Sequence, residues 1–327
     1  MDRFPILTFE PIFKQTVWGG RLLESSLGKK LPGDGPIGES WEIVDLPTDQ
    51  SRVADDGGRR GVTLEKLLEE NGEAILGGVP LLEGRFPLLL KFIDAQQTLS
   101  VQVHPDEEAC ALLGQGARPK TEAWYIVDCR AGAKLYVGLR EGVTEAQFSE
   151  ALSAGTVAEL LHQVSVQSGD FIYLPSGTIH AIGEGILLAE VQQSSNTTYR
   201  VFDWNRVGLD GKPRELHVEQ ALKSIHFGSA GVPVAVAPES GRRGIACRDF
   251  VMEAVPMVKG ETQRLQGNGP LILMGIGGTG RVSVHAEGET SVFGLGETRL
   301  VVAQMAADVE LRAQGDIMVL ATRIPAI

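Results

Sequence analysis

Three short segments of this 327-residue chain carry residue types that bind metal ions. The first covers residues 169–180, with the spacing Gly-x5-Pro-x-Gly-x2-His. Its pattern predicts a strand ending at Leu174, a tight turn built by Pro175 and Gly177, and a new strand opening on His180. On a barrel wall that ring can face the interior, where an imidazole serves as a ligand. The second segment is Ser100-Val-Gln102-Val-His104-Pro105. Side chains alternate along a strand, so Ser100, Gln102 and His104 share one face and Val101 and Val103 the other. The third is Lys120-Thr-Glu122-Ala-Trp-Tyr, where Glu122 opens an apolar strand and its carboxylate is costly to bury without a cation. Gln102, His104, Glu122 and His180 together offer two nitrogens and two oxygens, a set suited to one zinc ion with open positions for catalysis. Iron, manganese and cobalt accept the same donors. Taken singly, each segment has a plainer reading: a core histidine, a solvent-facing edge strand, a surface Lys–Glu pair.

The elements that must position these residues read as short strands separated by turns. Strand-like runs cover 87–93, 98–104, 123–127, 134–137, 170–174, 186–192 and 197–202. Beyond them lie 250–255, 271–274, 281–285, 299–304 and 317–322. Helical signals are fewer. Thr144 with Gln147 and Thr156 with Glu159 are capping-box patterns. Leu64, Leu67 and Leu68 make a helical face that Asn71-Gly72 should end, and 106–113 and 218–225 are further candidates. His162 falls on the helical pattern after the second box and is expected in solvent. The glycine-rich run 275–280 reads as a hairpin turn and not as a phosphate loop. A stretch rich in small residues, Gly and Pro from Ser229 to about Arg243 marks a boundary. The expected organisation is a unit over 1–235 that holds all the chemistry and a β unit over 236–327.

Composition narrows the function. Lys and Arg total 30 against 42 Asp and Glu, a net charge of −12, so the basic face of a general nucleic-acid binder is not expected. Three cysteines at wide spacing argue against a disulfide framework and for a reducing, cytoplasmic setting. No apolar run approaches a membrane span. Cys110 and Cys129 lie near the ligand segments but miss the strand-face pattern.

The segment 169–180 resembles the second motif of the cupin superfamily, with Glu184 where that motif often has Asn. Ser100-x-Gln-x-His-Pro, Lys120-Thr-Glu-x-Trp, the Gly177-x-x-His180 turn and Thr198-Tyr-Arg200 resemble type I mannose-6-phosphate isomerases of the shorter bacterial form. So do Val17-Trp-Gly-Gly20, Gly38-Glu-Ser-Trp-Glu42 and residues 87–94. The resemblance runs from about Pro11 to Arg206. It implies a mainly β fold: a cupin jelly-roll barrel with inserted helices, followed by a second jelly-roll-like β domain. It also implies zinc on Gln102, His104, Glu122 and His180, and a phosphosugar substrate. The activity implied is aldose–ketose isomerisation between mannose 6-phosphate and fructose 6-phosphate through a cis-enediol.

In that scheme Arg200 matches the family's catalytic arginine and, with zinc, stabilises the enediolate. Glu190, in the apolar run 186–191, is the expected base, and Lys120 assists proton transfer. Ser100, Lys91 and Arg206 are the expected phosphate contacts, with Trp18 at the substrate site. A plainer reading pairs Glu190 with Arg200, Arg200 with Asp203, and Lys91 with Asp94 or Glu42. A divalent metal with Glu122 leaves one positive charge, which Lys120 and Arg200 raise to three inside an acidic shell. The competing functions are a sugar-binding cupin without turnover, an isomerase for another sugar, and an iron dioxygenase. The last usually presents His-x-His, where this chain has Gln102-x-His104.

Overall fold

The computed structural model describes residues 4–54, 58–114, 116–228 and 231–325. Ser229, where the boundary stretch begins, lies outside them. Two antiparallel sheets enclose a barrel. One runs Ile12–Gly20, Ile37–Ile43, Leu88–Ala95, Ile186–Gln193, Glu122–Cys129, Phe171–Leu174 in spatial order. The other runs Tyr199–Phe202, Val101–Val103, His180–Ile182, Lys134–Leu139, Leu161–Ser165. Strands far apart in sequence are neighbours and the chain passes between the facing sheets, which is the jelly-roll arrangement. A second pair of sheets follows. Its five-stranded member holds Gly244–Ala246, Val251–Met257, Ile317–Arg323, Leu271–Gly278 and Thr298–Val301. The four-stranded member holds Thr262–Leu265, Val309–Ala313, Arg281–Ala286 and Glu289–Gly294.

Strand parity explains why the central strands read as almost unbroken apolar runs. Every residue of Leu88–Ala95 and of Ile186–Gln193 is buried, because both faces of that sheet are covered. Leu88, Leu90, Phe92, Leu187, Ala189 and Val191 point outward into one core shared with the second pair of sheets. Ile93, Ala95, Trp124, Ile126, Ile186 and Leu188 point inward and fill one part of the barrel. On the opposite sheet Val101 and Val103 face outward and pack with Phe148 and Ala221 of two helices, Glu145–Ala154 and Val218–Ser224. Ser100, Gln102 and His104 are therefore left on the inner face, as the alternation predicts.

Several local expectations change. The helix Leu64–Leu76 passes Asn71 with a kink (φ −144°, ψ 31°) instead of stopping, because Ile75 and Leu76 add two more buried contacts. The Thr144–Gln147 capping box forms in full, but Thr156 makes no side-chain cap and heads only the 3-10 turn Val157–Leu160. His162 consequently lies on a strand, Leu161–Ser165, half-buried and not on a solvated helix. The 275–280 run is no hairpin turn: Leu271–Gly278 and Arg281–Ala286 belong to different sheets, so Thr279 and Gly280 turn a corner between layers. A Cβ at Gly280 would overlap the backbone of Gly315, which is why a residue without one is needed at that corner.

A buried ion pair sits on the seam between the two pairs of sheets. Lys29 Nζ lies 2.7 Å from Glu42 Oε1 and donates to the Gly296 carbonyl at 2.8 Å. The Glu42 carboxylate also accepts from Ser40 at 2.5 Å and from Thr298 at 3.0 Å. Both charges are nearly free of solvent contact. Removing one partner strands the other. Glu42→Ala is expected to cost about 3–5 kcal/mol, read as a lowered urea midpoint. The double replacement Lys29→Met with Glu42→Leu should recover most of that loss. A Glu42→Ala protein as stable as the wild type would show that the pair contributes nothing to the seam.

Candidate metal centre

One point inside the barrel collects the expected ligands. His104, Glu122 and His180 are buried, and one ligating atom from each lies within 4.8 Å of the others. Glu122 opens the strand Glu122–Cys129, His180 opens His180–Ile182, and His104 follows directly after Val101–Val103. The strand Phe171–Leu174 ends as expected, and the 175–179 turn carries the chain from one sheet to the other before delivering His180. Gly177 makes that turn with φ +85°. Its N–H donates to the His104 carbonyl at 2.8 Å, and the Ser176 hydroxyl accepts from the Lys120 N–H at 3.2 Å. The turn thus ties all three ligand segments together.

Each imidazole is oriented through its second nitrogen. His104 Nδ1 contacts the Thr197 carbonyl at 2.8 Å, and His180 Nδ1 contacts the Thr178 carbonyl at 2.9 Å. A carbonyl can only accept, so Nδ1 carries the proton and the Nε2 lone pairs face Glu122, at 3.4 Å and 3.3 Å. Burial pushes the His104 pKa down to about 3, with Lys120 adding to the effect, and burial lowers His180 as well. Both rings are neutral, the form that binds metal. Gln102 is paired in register with His180, and its amide lies 3.3 Å from His180 Nε2. Turning that amide about its terminal bond presents Oε1 at the same place.

Glu122 decides whether the group fits a cation. It has no exposed surface; Oε1 has no hydrogen-bond donor, and Oε2 is met by the Lys120 ammonium. Burial opposes its charge, but the Lys120 ammonium at 2.8 Å holds the carboxyl well below the usual range. The same ammonium lies 3.1 Å from His104 Nε2. Two neutral imidazoles, a glutamine amide and a carboxylate with unmet acceptors match a divalent metal in number and type.

Register places the remaining expected residues around this point. Arg200 stands opposite Gln102, which stands opposite His180, so the three form one row on the inner face. Arg200 Nε donates to Ser100 Oγ at 3.1 Å, and its Nη1 to the Glu215 carbonyl at 3.0 Å. On the facing sheet Glu190 stands between Lys91 and Trp124. Lys91 Nζ is 3.0 Å from Glu190 and 3.5 Å from Glu39, and Trp124 Nε1 donates to Glu190 at 3.0 Å. Burial opposes the Lys91 charge, but Glu190 and Glu39 raise its pKa and keep it protonated. Neither of the alternative partners, Asp94 or Glu42, holds Lys91. Asp94 caps Leu22, and Glu42 holds Lys29. Nor does Arg200 hold Asp203, which binds Arg206 at 2.8 Å and Arg214 at 2.5 Å. Trp18 is 3% exposed and packs in the apolar part of the barrel with Ile93 and Trp124. Arg214 was not legible in the sequence, since it lies in a loop with no strand pattern to give it a face. Glu39 was visible in its Gly-Glu-Ser-Trp-Glu context, but not as the partner of Lys91.

An antiparallel barrel that aims two imidazoles, a carboxylate and an amide at one buried point is a metal-binding cupin. Comparison with known proteins narrows the class. Residues 6–149 match the family described as phosphomannose isomerase type I, catalytic domain. The mannose-6-phosphate isomerase ManA of Bacillus subtilis is 42% identical over 224 residues, 68% of this chain and 69% of that protein. YvyI of the same organism, which carries the same family name, is 36% identical over 311 residues, 93% of this chain and 95% of its own. The crystal structure of the mannose 6-phosphate isomerase from Bacillus subtilis superposes with a TM-score of 0.87 at 30% identity, covering 98% of this chain and 100% of that one. The chain belongs to the type I phosphomannose isomerase family, whose members are metal-dependent isomerases.

The turn that unites the ligands gives a sharp test. A Cβ on Gly177 would collide with the ring of His226, which packs directly over it, and the positive φ would be strained as well. Gly177→Ala should cost on the order of 2 kcal/mol and release metal more readily to a chelator. Unchanged stability together with unchanged metal retention would show that the turn does not hold the ligands in place.

Proposed function

We propose that this protein interconverts mannose 6-phosphate and fructose 6-phosphate with zinc held by Gln102, His104, Glu122 and His180. The observation that carries the zinc site is the buried Glu122 carboxylate, with Oε1 unsatisfied beside two neutral imidazoles. Family membership carries the substrate. Bound zinc would supply Lewis-acid polarisation of the sugar's carbonyl and hydroxyl oxygens.

The residues divide the remaining work. In the aldose-to-ketose direction Glu190 removes the proton from C2 and returns it to C1. Lys91 and Trp124 hold its carboxylate in one position, which supports this role. Lys120 carries the hydroxyl proton between O2 and O1. Arg200 places a fixed positive charge where the enediolate oxygen develops, and Ser100 together with the Glu215 carbonyl pre-orders it. Ser100, Lys91 and Arg206 receive the phosphate end, with Trp18 beneath the sugar. Of these, Ser100 touches Arg200, and Arg206 lies within electrostatic range of it. We also propose the division into a catalytic unit, 1–235, and a β unit, 236–327, and a cytoplasmic setting. The three free cysteines support that setting, and no helix among the described residues is long and apolar enough to cross a membrane.

A coupled assay on fructose 6-phosphate and a panel of hexose phosphates tests the substrate. Turnover should be confined to the mannose 6-phosphate pair and should stop with chelator. Arg200→Ala should retain fold and zinc while losing about 10³-fold in kcat. Substantial activity in that variant would remove Arg200 from the chemistry. His104→Ala should lose zinc by elemental analysis, and a full complement would overturn the ligand set.

A further inference from the structure

A second site lies on the outside of the barrel, away from the metal centre. We infer that the cleft between the strands Glu122–Cys129 and Phe171–Leu174 and the second pair of sheets binds a nucleoside phosphate. The cleft has a volume of about 480 Å³, within the range of small-molecule sites, and lies on a seam between layers, where such sites concentrate.

One part of its lining is cationic. Arg242 and Arg243 follow the Gly241 turn and reach in different directions. Arg242 donates to the Gln263 side-chain oxygen at 3.2 Å, and Arg243 donates to the Gly169 carbonyl at 3.0 Å. Each guanidinium is held by a neutral acceptor, and no carboxylate of the described residues pairs with either. The lining also contains Glu261, but its two oxygens are committed to the Val258 N–H and the Gln263 amide. The cleft keeps one net positive charge and several free guanidinium N–H groups, the donors that take a phosphate.

Much of the rest of the lining is apolar. Tyr125 and Phe171 are paired in register and meet edge to face, with ring centroids 5.0 Å apart. Pro256 and Met318 close the other wall. Aromatic and thioether surfaces take up a heteroaromatic base. Inorganic phosphate would leave this surface wet. A ring joined to a phosphate satisfies both parts.

Parity keeps this site separate from the first. Tyr125 is odd on the strand where Glu122 and Trp124 are even, so it faces outward while they face the barrel interior. A ligand here does not compete with a phosphosugar.

Calorimetric titration of the intact zinc-loaded protein with adenosine 5′-diphosphate tests the assignment. Binding should be about tenfold tighter than for inorganic phosphate or adenosine alone, and saturating fructose 6-phosphate should leave it unchanged. The double variant Arg242→Gln with Arg243→Gln should weaken it about tenfold with thermal stability and isomerase turnover retained. Absence of binding, displacement by fructose 6-phosphate, or full affinity in the double variant would each overturn the proposal. The readout is binding, so its failure is independent of whether the protein turns over mannose 6-phosphate.

Discussion

A carboxylate sealed from solvent, with one oxygen left without a donor, is the constraint around which the barrel is organised. Glu122 is buried completely; Oε1 lacks a donor and Oε2 meets the Lys120 ammonium. Such a group is tolerated only where positive charge is fixed close by. Lys120 provides part of that charge, and the two neutral imidazoles leave their lone pairs where a divalent ion adds the rest. The carbonyls of Thr197 and Thr178 matter for the same reason, since they choose which nitrogen of each ring faces Glu122.

The barrel can keep so polar a centre because apolar packing surrounds it. Inside, Trp124, Ile126, Ile93 and Leu188 fill the space beside the charged residues and keep water from one side. Outside, the same sheet is covered by the second pair of sheets, with Leu90, Phe92, Leu187 and Val191 in one continuous core. The second pair of sheets therefore supports the metal centre indirectly. It buries the outer face of the strands that carry Lys91, Glu190 and Glu122, and strands interior to a sheet and packed on both faces move little. The N-terminal stretch joins in: Leu7 pairs with Leu300 of those sheets through two backbone hydrogen bonds, at 2.8 Å and 2.9 Å.

Much of the site was legible because a strand has a period of two. Once 100–104 was read as extended, Gln102 and His104 had to share a face with Ser100, and they do. The Pro175–Gly177 turn was legible because those residues favour few conformations. Elements were misread where local signals met tertiary packing. Asn71-Gly72 is a good helix stop, yet the buried Ile75 and Leu76 draw the helix onward. Thr156-x-x-Glu159 has the composition of a capping box, but the chain turns into a strand within five residues. The run 275–280 has the glycines of a hairpin and instead changes sheet.

The sequence by itself determined which residues are chemically able to act, which strands they lie on and which face of each strand they occupy. These are local properties, set by residue type and by backbone alternation. Tertiary structure alone decided who meets whom. Alternation already turns Asp94 away from Lys91, but which carboxylates reach Lys91 depends on its neighbouring strands, which supply Glu190 and Glu39. Asp203 holds Arg206 and Arg214, leaving Arg200 free of a carboxylate and aligned with Gln102 and His180. Those pairings follow from the order in which strands distant in sequence lie side by side. A two-residue period says nothing about that order, because every antiparallel arrangement of the same strands satisfies it equally well.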